Sequence, residues 1–134
     1  MSSCIKWENK FSVGISAIDE EHKMMVALIN EACDSAELMD ADDATAELLQ
    51  NMKAYAERHF ATEEAFMQQY EYAAMATHVQ KHNLFRERVA AAMNRDKHDV
   101  DPYNVFQFLR DWFHGHVLGD DKALGLYLKQ NGAR

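Results

Sequence analysis

Proline occurs once and glycine five times in 134 residues. That scarcity excludes turn-rich sandwiches, collagen-like repeats and low-complexity tails, and it favours helices. Two cysteines, Cys4 and Cys33, are too few for the disulfide framework of a small secreted protein, and both are expected as reduced, incidental thiols. No apolar run approaches the ~18 residues of a membrane span, and the opening MSSCIKWENK is too polar for a signal peptide. A cytoplasmic location without membrane insertion is expected. Basic residues are also short. Fourteen Lys and Arg stand against 22 Asp and Glu, a net charge of −8, which makes phosphate backbones and anionic lipids poor partners.

What is present suits one domain with a real core, since 48% of the residues are hydrophobic. Residues 1–15 carry Trp7, Phe11, Val13 and Ile15 without a helical period and read as an extended N-terminal arm lying on something else. Ser16 and Asp19 resemble a capping box, after which Ile18, His22, Met25, Ile29 and Cys33 recur at helical spacing. The spacing predicts helices over about 17–38, 41–69, 72–95 and 102–118. Acidic residues Asp40 to Asp43 start the second, and Asp101-Pro102 supplies a cap and a first-turn proline for the fourth. Gly119 loosens the chain before a short C-terminal tail with Leu124, Leu126 and Tyr127. Four amphipathic helices with short links imply an all-α, up-down-up-down antiparallel four-helix bundle forming a single domain over 1–134.

The inward stripes hold residues that do not belong in an apolar core. His22 lies on the first, His59 and Glu63 on the second, His78 and His82 on the third, and His116 on the fourth. Each unpaired polar group buried there costs on the order of several kcal/mol. A metal would satisfy them together. Residues four apart lie about 40° apart around a helix, so both i, i+4 pairs converge on one side. Asp121, about 140° from His116, reaches the same centre only if the helix bends or ends. A lone inward histidine is commonly a hydrogen-bonded core residue, and the conjunction across four helices carries the weight. His98 and His114 fall off the stripe and are assigned to solvent or to supporting positions. The eight methionines are packing, because soft thioethers suit an imidazole and carboxylate site poorly.

Five imidazoles and two carboxylates exceed the needs of tetrahedral zinc and suit two five- or six-coordinate ions bridged by carboxylates, for which iron is a good fit. His78-Val-Gln-Lys-His82 lacks the glutamate of a zinc peptidase, and no glutamate stands three residues before a histidine, as a ferritin-like di-iron site requires. The order His22, His59-x-x-x-Glu63, His78-x-x-x-His82, His116-x-x-x-x-Asp121 resembles the hemerythrins over nearly the whole chain. Trp7, Gly14-Ile15 to Ile18-Asp19, Phe60, Trp112 and Asp121-Lys122 are similar to its single-domain bacterial members, the bacteriohemerythrins.

That resemblance implies a non-haem di-iron centre with an oxo or hydroxo bridge. His78, His82 and His116 would hold one iron, His22 and His59 the other, and Glu63 and Asp121 would bridge them. Asp120 is the competing carboxylate, and the family spacing favours Asp121. The two-histidine iron would keep an open position for dioxygen, in a dry pocket of Met25, Phe60, Trp112, Phe113 and Val117. The expected function is reversible oxygen binding, without catalysis, by a monomer that stores oxygen or delivers it to an oxygen-consuming enzyme. Alternatives are a di-iron enzyme acting on peroxide or nitric oxide, or an oxygen or redox sensor acting through a partner. Nucleic acid is not an expected partner.

Overall fold

The computed structural model describes residues 4–35 and 41–134. Four long helices, α1 (Ser16–Ser35), α2 (Ala41–Gln69), α3 (Met75–Met93) and α4 (Pro102–Gly115), form the bundle, with no strand among the described residues. Helix α1 lies against α2 and α4, and α2 against α3. Between α3 and α4 large rings set the spacing: Phe85 packs on Trp112 at 4.4 Å and stacks on Phe108 at 5.6 Å. No described helix is long and apolar enough to cross a membrane. Residues 36–38 of the first expected helix, and Asp40 in the second helix's start signal, lie outside the described residues.

Local chemistry explains where the boundaries differ from the sequence pattern. Asp19 does not close a box with Ser16. Its carboxylate accepts from Ser12 Oγ at 2.6 Å and Val13 N at 2.8 Å, fastening the arm to the first turn of α1. Helix α3 starts at Met75 because residues 70–74 form a turn, in which Tyr72 N donates to Met67 O at 2.9 Å and Glu71 takes φ 53°. That is the left-handed C-terminal cap that ends many helices. Asp101 caps α4 as expected, accepting from Tyr103 N at 3.0 Å, with Pro102 in the first turn.

Two expectations are overturned. The fourth helix does not stop near 118: it passes through a π-helical segment, His116–Asp121, into α5 (Lys122–Gln130), so the expected tail is helical and buries Leu124 and Leu128. Gly119 is exposed, and a Cβ there would meet nothing within 4 Å, so the widened turn does not depend on its small size. Cys4 and Cys33 are not separate thiols but a disulfide with Cα atoms 5.8 Å apart. The arm is held there by Asn30, which accepts from Ile5 N and donates to Ile5 O, both at 2.8 Å, bringing Cys4 to the next turn of α1. Further along, Val13 passes so close to α5 that a Cβ on Gly125 would lie 2.2 Å from its carbonyl oxygen.

The core is divided. One apolar cluster runs from Ile5 and Phe11 through Met25, Met52, Phe60, Phe85, Leu109 and Phe113 to Val117. A smaller one joins Val13, Ile15, Ile18, Met67, Leu124, Leu128 and Ala133.

Candidate metal centre

Between those clusters α1, α2, α3 and the π segment that continues α4 contribute to one polar layer. His22 lies between Ile18 and Met25 along α1, and Glu63 between Phe60 and Met67 along α2. His78 and His82 come before Phe85 on α3, and His116 follows Phe113. The apolar neighbours decide which face turns inward, and polar residues one turn along are carried in with them. The π segment performs the last placement. Its i→i+5 hydrogen bonding widens the turn, so Asp121 shares a face with His116 without any bend.

All seven residues are buried, none more than 4% exposed. Glu63 directs Oε1 to His78 Nε2 (3.0 Å) and His82 Nε2 (2.9 Å), and Oε2 to His59 Nε2 (2.9 Å) and His22 Nε2 (3.4 Å). Asp121 directs Oδ1 to His78 Nε2 (3.0 Å) and His116 Nε2 (3.1 Å), and Oδ2 to His22 Nε2 (3.0 Å). Each carboxylate therefore faces two groups of histidines at once. Ligand atoms of Glu63, His78, His82, His116 and Asp121 all lie within 4.8 Å of one another, as do those of His22, His59, Glu63 and Asp121.

Despite these short distances, His22 Nε2, His59 Nε2, His116 Nε2, Glu63 Oε2 and both Asp121 oxygens lack hydrogen-bond geometry, and His22 Nδ1, behind its ring, has no partner either. Buried polar atoms are normally satisfied. A shared set of orphans pointing inward fits cations, and the donor types fit a transition metal. In the absence of an ion the layer is held by protons. Burial pushes His59 down, but Glu63 and Glu21 outweigh it and raise it to about 10. Burial likewise opposes His78 and His116, and the carboxylates raise them to about 9 and about 11. Burial pushes Glu63 up, yet His59, His116 and His22 hold it well below the carboxylate range. Burial and Glu63 push Asp121 up, and His116 and His22 outweigh them and hold it below the carboxylate range.

The far nitrogens of three rings meet carboxylates that the spacing pattern did not single out as orienting groups. His59 Nδ1 donates to Glu21 Oε1 at 2.7 Å, His82 Nδ1 to Glu64 Oε2 at 3.0 Å, and His116 Nδ1 to Asp120 Oδ2 at 3.1 Å. Asp120, weighed as a rival to Asp121, thus lies behind His116 while Asp121 lies in front of it. The available signal was adjacency: Glu21 precedes His22, Glu64 follows Glu63, and Asp120 precedes Asp121. His98 is exposed and pairs with Asp42 at 2.9 Å, and His114 Nδ1 donates to Arg110 O at 3.1 Å, both away from the layer.

The five expected pocket residues divide. Phe60 stacks on His82 at 3.9 Å and half-buried Trp112 on His116 at 4.5 Å, so both cover the three-histidine side. Phe113 meets His22 edge-on at 5.9 Å, on the two-histidine side, and is itself covered by Phe11 of the arm at 5.3 Å. Met25 and Val117 are buried in the larger core cluster.

A four-helix bundle carrying a buried layer of histidines bridged by two carboxylates defines a protein built to bind metal cations. The chain belongs to the hemerythrin family: the model of the hemerythrin HHE cation binding domain matches residues 13–127. It is similar to the bacteriohemerythrin of Clostridium acetobutylicum, 27% identical over 122 residues that cover 87% of this chain and 95% of that protein. The bacteriohemerythrin of Pseudomonas aeruginosa is 30% identical over 116 residues, covering 86% and 75%. A crystal structure of wild-type hemerythrin superposes with a TM-score of 0.85 at 25% identity, covering 94% of this chain and 98% of that one.

Proposed function

We propose that the layer holds two iron ions and that the protein binds dioxygen reversibly, for storage or for delivery to an oxygen-consuming enzyme. The observation that carries this is the unequal sharing of two carboxylates: Glu63 and Asp121 serve three histidines on one side and two on the other. His78, His82 and His116 would hold the fuller ion, and His22 and His59 the ion with room for a ligand. Two ferrous ions would supply the two electrons that reversible dioxygen binding draws on. The chain's own contribution is to orient and to exclude. Glu21 fixes the His59 ring, Glu64 the His82 ring and Asp120 the His116 ring, each holding a proton at Nδ1 so that Nε2 is free to ligate. Phe113, edge-on to His22 and fully buried, keeps water from the two-histidine side, and Met25 and Val117 are buried in the same core cluster as Phe113.

Metal content and an absorption spectrum test this directly. Two irons per chain, with charge-transfer bands that rise in oxygen and vanish under argon, are expected. Two irons that oxidise once and stay oxidised would overturn reversible binding, and turnover of peroxide or nitric oxide would then mark an enzyme.

A further inference from the structure

The three orienting carboxylates are not equivalent. Glu64, behind His82, has Arg86 Nη2 at 3.5 Å from Oε2. Asp120, behind His116, has Lys81 Nζ at 3.3 Å from Oδ2. Glu21, behind His59, accepts from Thr62 Oγ1 at 2.9 Å, and among the described residues no Lys or Arg comes within ion-pair distance of it. Arg86 reaches His82 by a second route: its guanidinium lies 4.9 Å from the centre of the Phe60 ring, the ring that stacks on His82. Glu57 and Asn83 hold it there, accepting from Nε at 3.0 Å and Nη1 at 2.8 Å.

Resting on the metal centre proposed above, we propose that Arg86 and Lys81 are positioning residues that make the two halves of the site electronically unequal. A carboxylate behind a ligating imidazole raises its basicity and favours the more oxidised metal. A cation beside that carboxylate offsets the effect. Arg86 and Lys81 apply this offset to His82 and His116 alone. The offset falls on the three-histidine half alone and eases it toward the reduced state, while Glu21 acts on His59 with no such offset. Both cations are partly exposed, so each effect is modest, and none of the groups touching the metal needs to move.

The test uses the full chain with Arg86→Gln, Lys81→Gln and Arg86→Lys. In iron-loaded protein each Gln variant should favour the oxidised centre by about threefold, a fall in midpoint potential of about 28 mV at 59 mV per decade. Arg86→Lys should recover most of it. In zinc-loaded protein, which has no redox chemistry, Arg86→Gln should shift the His82 Nδ1–H proton resonance downfield and leave that of His59 in place. Lower thermal stability with unchanged potentials and an unmoved His82 resonance would overturn the proposal, leaving Arg86 as ordinary surface packing. Equal displacement of His59 and His82 would also overturn it. Failure of the unmodified chain to take up two iron ions would overturn the metal centre, and this proposal with it. Normal uptake with unmoved potentials would overturn this proposal alone.

Discussion

His59 and His116 each lie between two carboxylates, one in front of the ring and one behind. In metal-free protein the raised histidines stabilise the fold fully only below their ordinary value of 6.5, and that contribution is lost as pH rises through about 9 to about 11. The depressed Glu63 and Asp121 contribute above their ordinary values of 4.5 and 3.8, and that is lost in acid. Metal-free protein should therefore be most stable between about pH 4.5 and 6.5 and weaken toward alkaline pH. Bound metal displaces the protons, so the gap in melting temperature between loaded and free protein should widen as pH rises, as thermal scans at several pH values would show. Asp121→Asn removes a shared ligand and should lower zinc uptake from two equivalents to one or none. Asp120→Asn, behind His116, should retain two with affinity weakened by about tenfold, as metal analysis after dialysis would reveal. The five histidines were legible in the sequence because imidazole is conspicuous on an apolar stripe. Glu21 and Glu64 were not, because on a charged helix face they look like any solvated carboxylate, and Asp120 stood out only as a rival ligand to Asp121, not as the group behind His116.

At the scale of the element, hydrophobic period and capping chemistry made four helices readable from the sequence, and Asp101-Pro102 marked the α4 start to the residue. The π segment was not readable, since i→i+5 bonding uses the same residues as i→i+4 and only the His116–Asp121 spacing betrays it. Deleting Gly119 should turn the segment back into α-helix with Asp121 four residues after His116, about 40° round, so the register beyond it is kept. Asp121 should stay in the layer, and Leu124 and Leu128 in the smaller core. Circular dichroism should then keep its helical signal and metal uptake should persist, whereas loss of uptake would show that the widened turn itself is needed. The disulfide was equally hidden, because 29 residues separate its cysteines and only the folded arm brings them together. Closing a loop of that length stabilises by about 3.6 kcal/mol in the chain-entropy picture. Reduction should lower the denaturant midpoint without abolishing metal binding, since the Asn30 bonds and buried Phe11 still hold the arm.

Seven polar side chains lie between two apolar clusters, and α1, α2, α3 and the run from α4 through the π segment into α5 each cross that layer. Metal should tie the halves together. Without it, hydrogen exchange should be faster at Ile18, Met67 and Leu124, in the smaller cluster, than at Met52 and Leu109 in the larger, and loading should close most of that difference. The same layer sets the order of events during synthesis. Its first residue is His22 and its last Asp121, so the ribosome has made all four long helices before Glu63 and Asp121 can stand side by side. A metal ion that draws on both shared carboxylates finds them together only after the last helix has docked, so its capture reports that the bundle has closed.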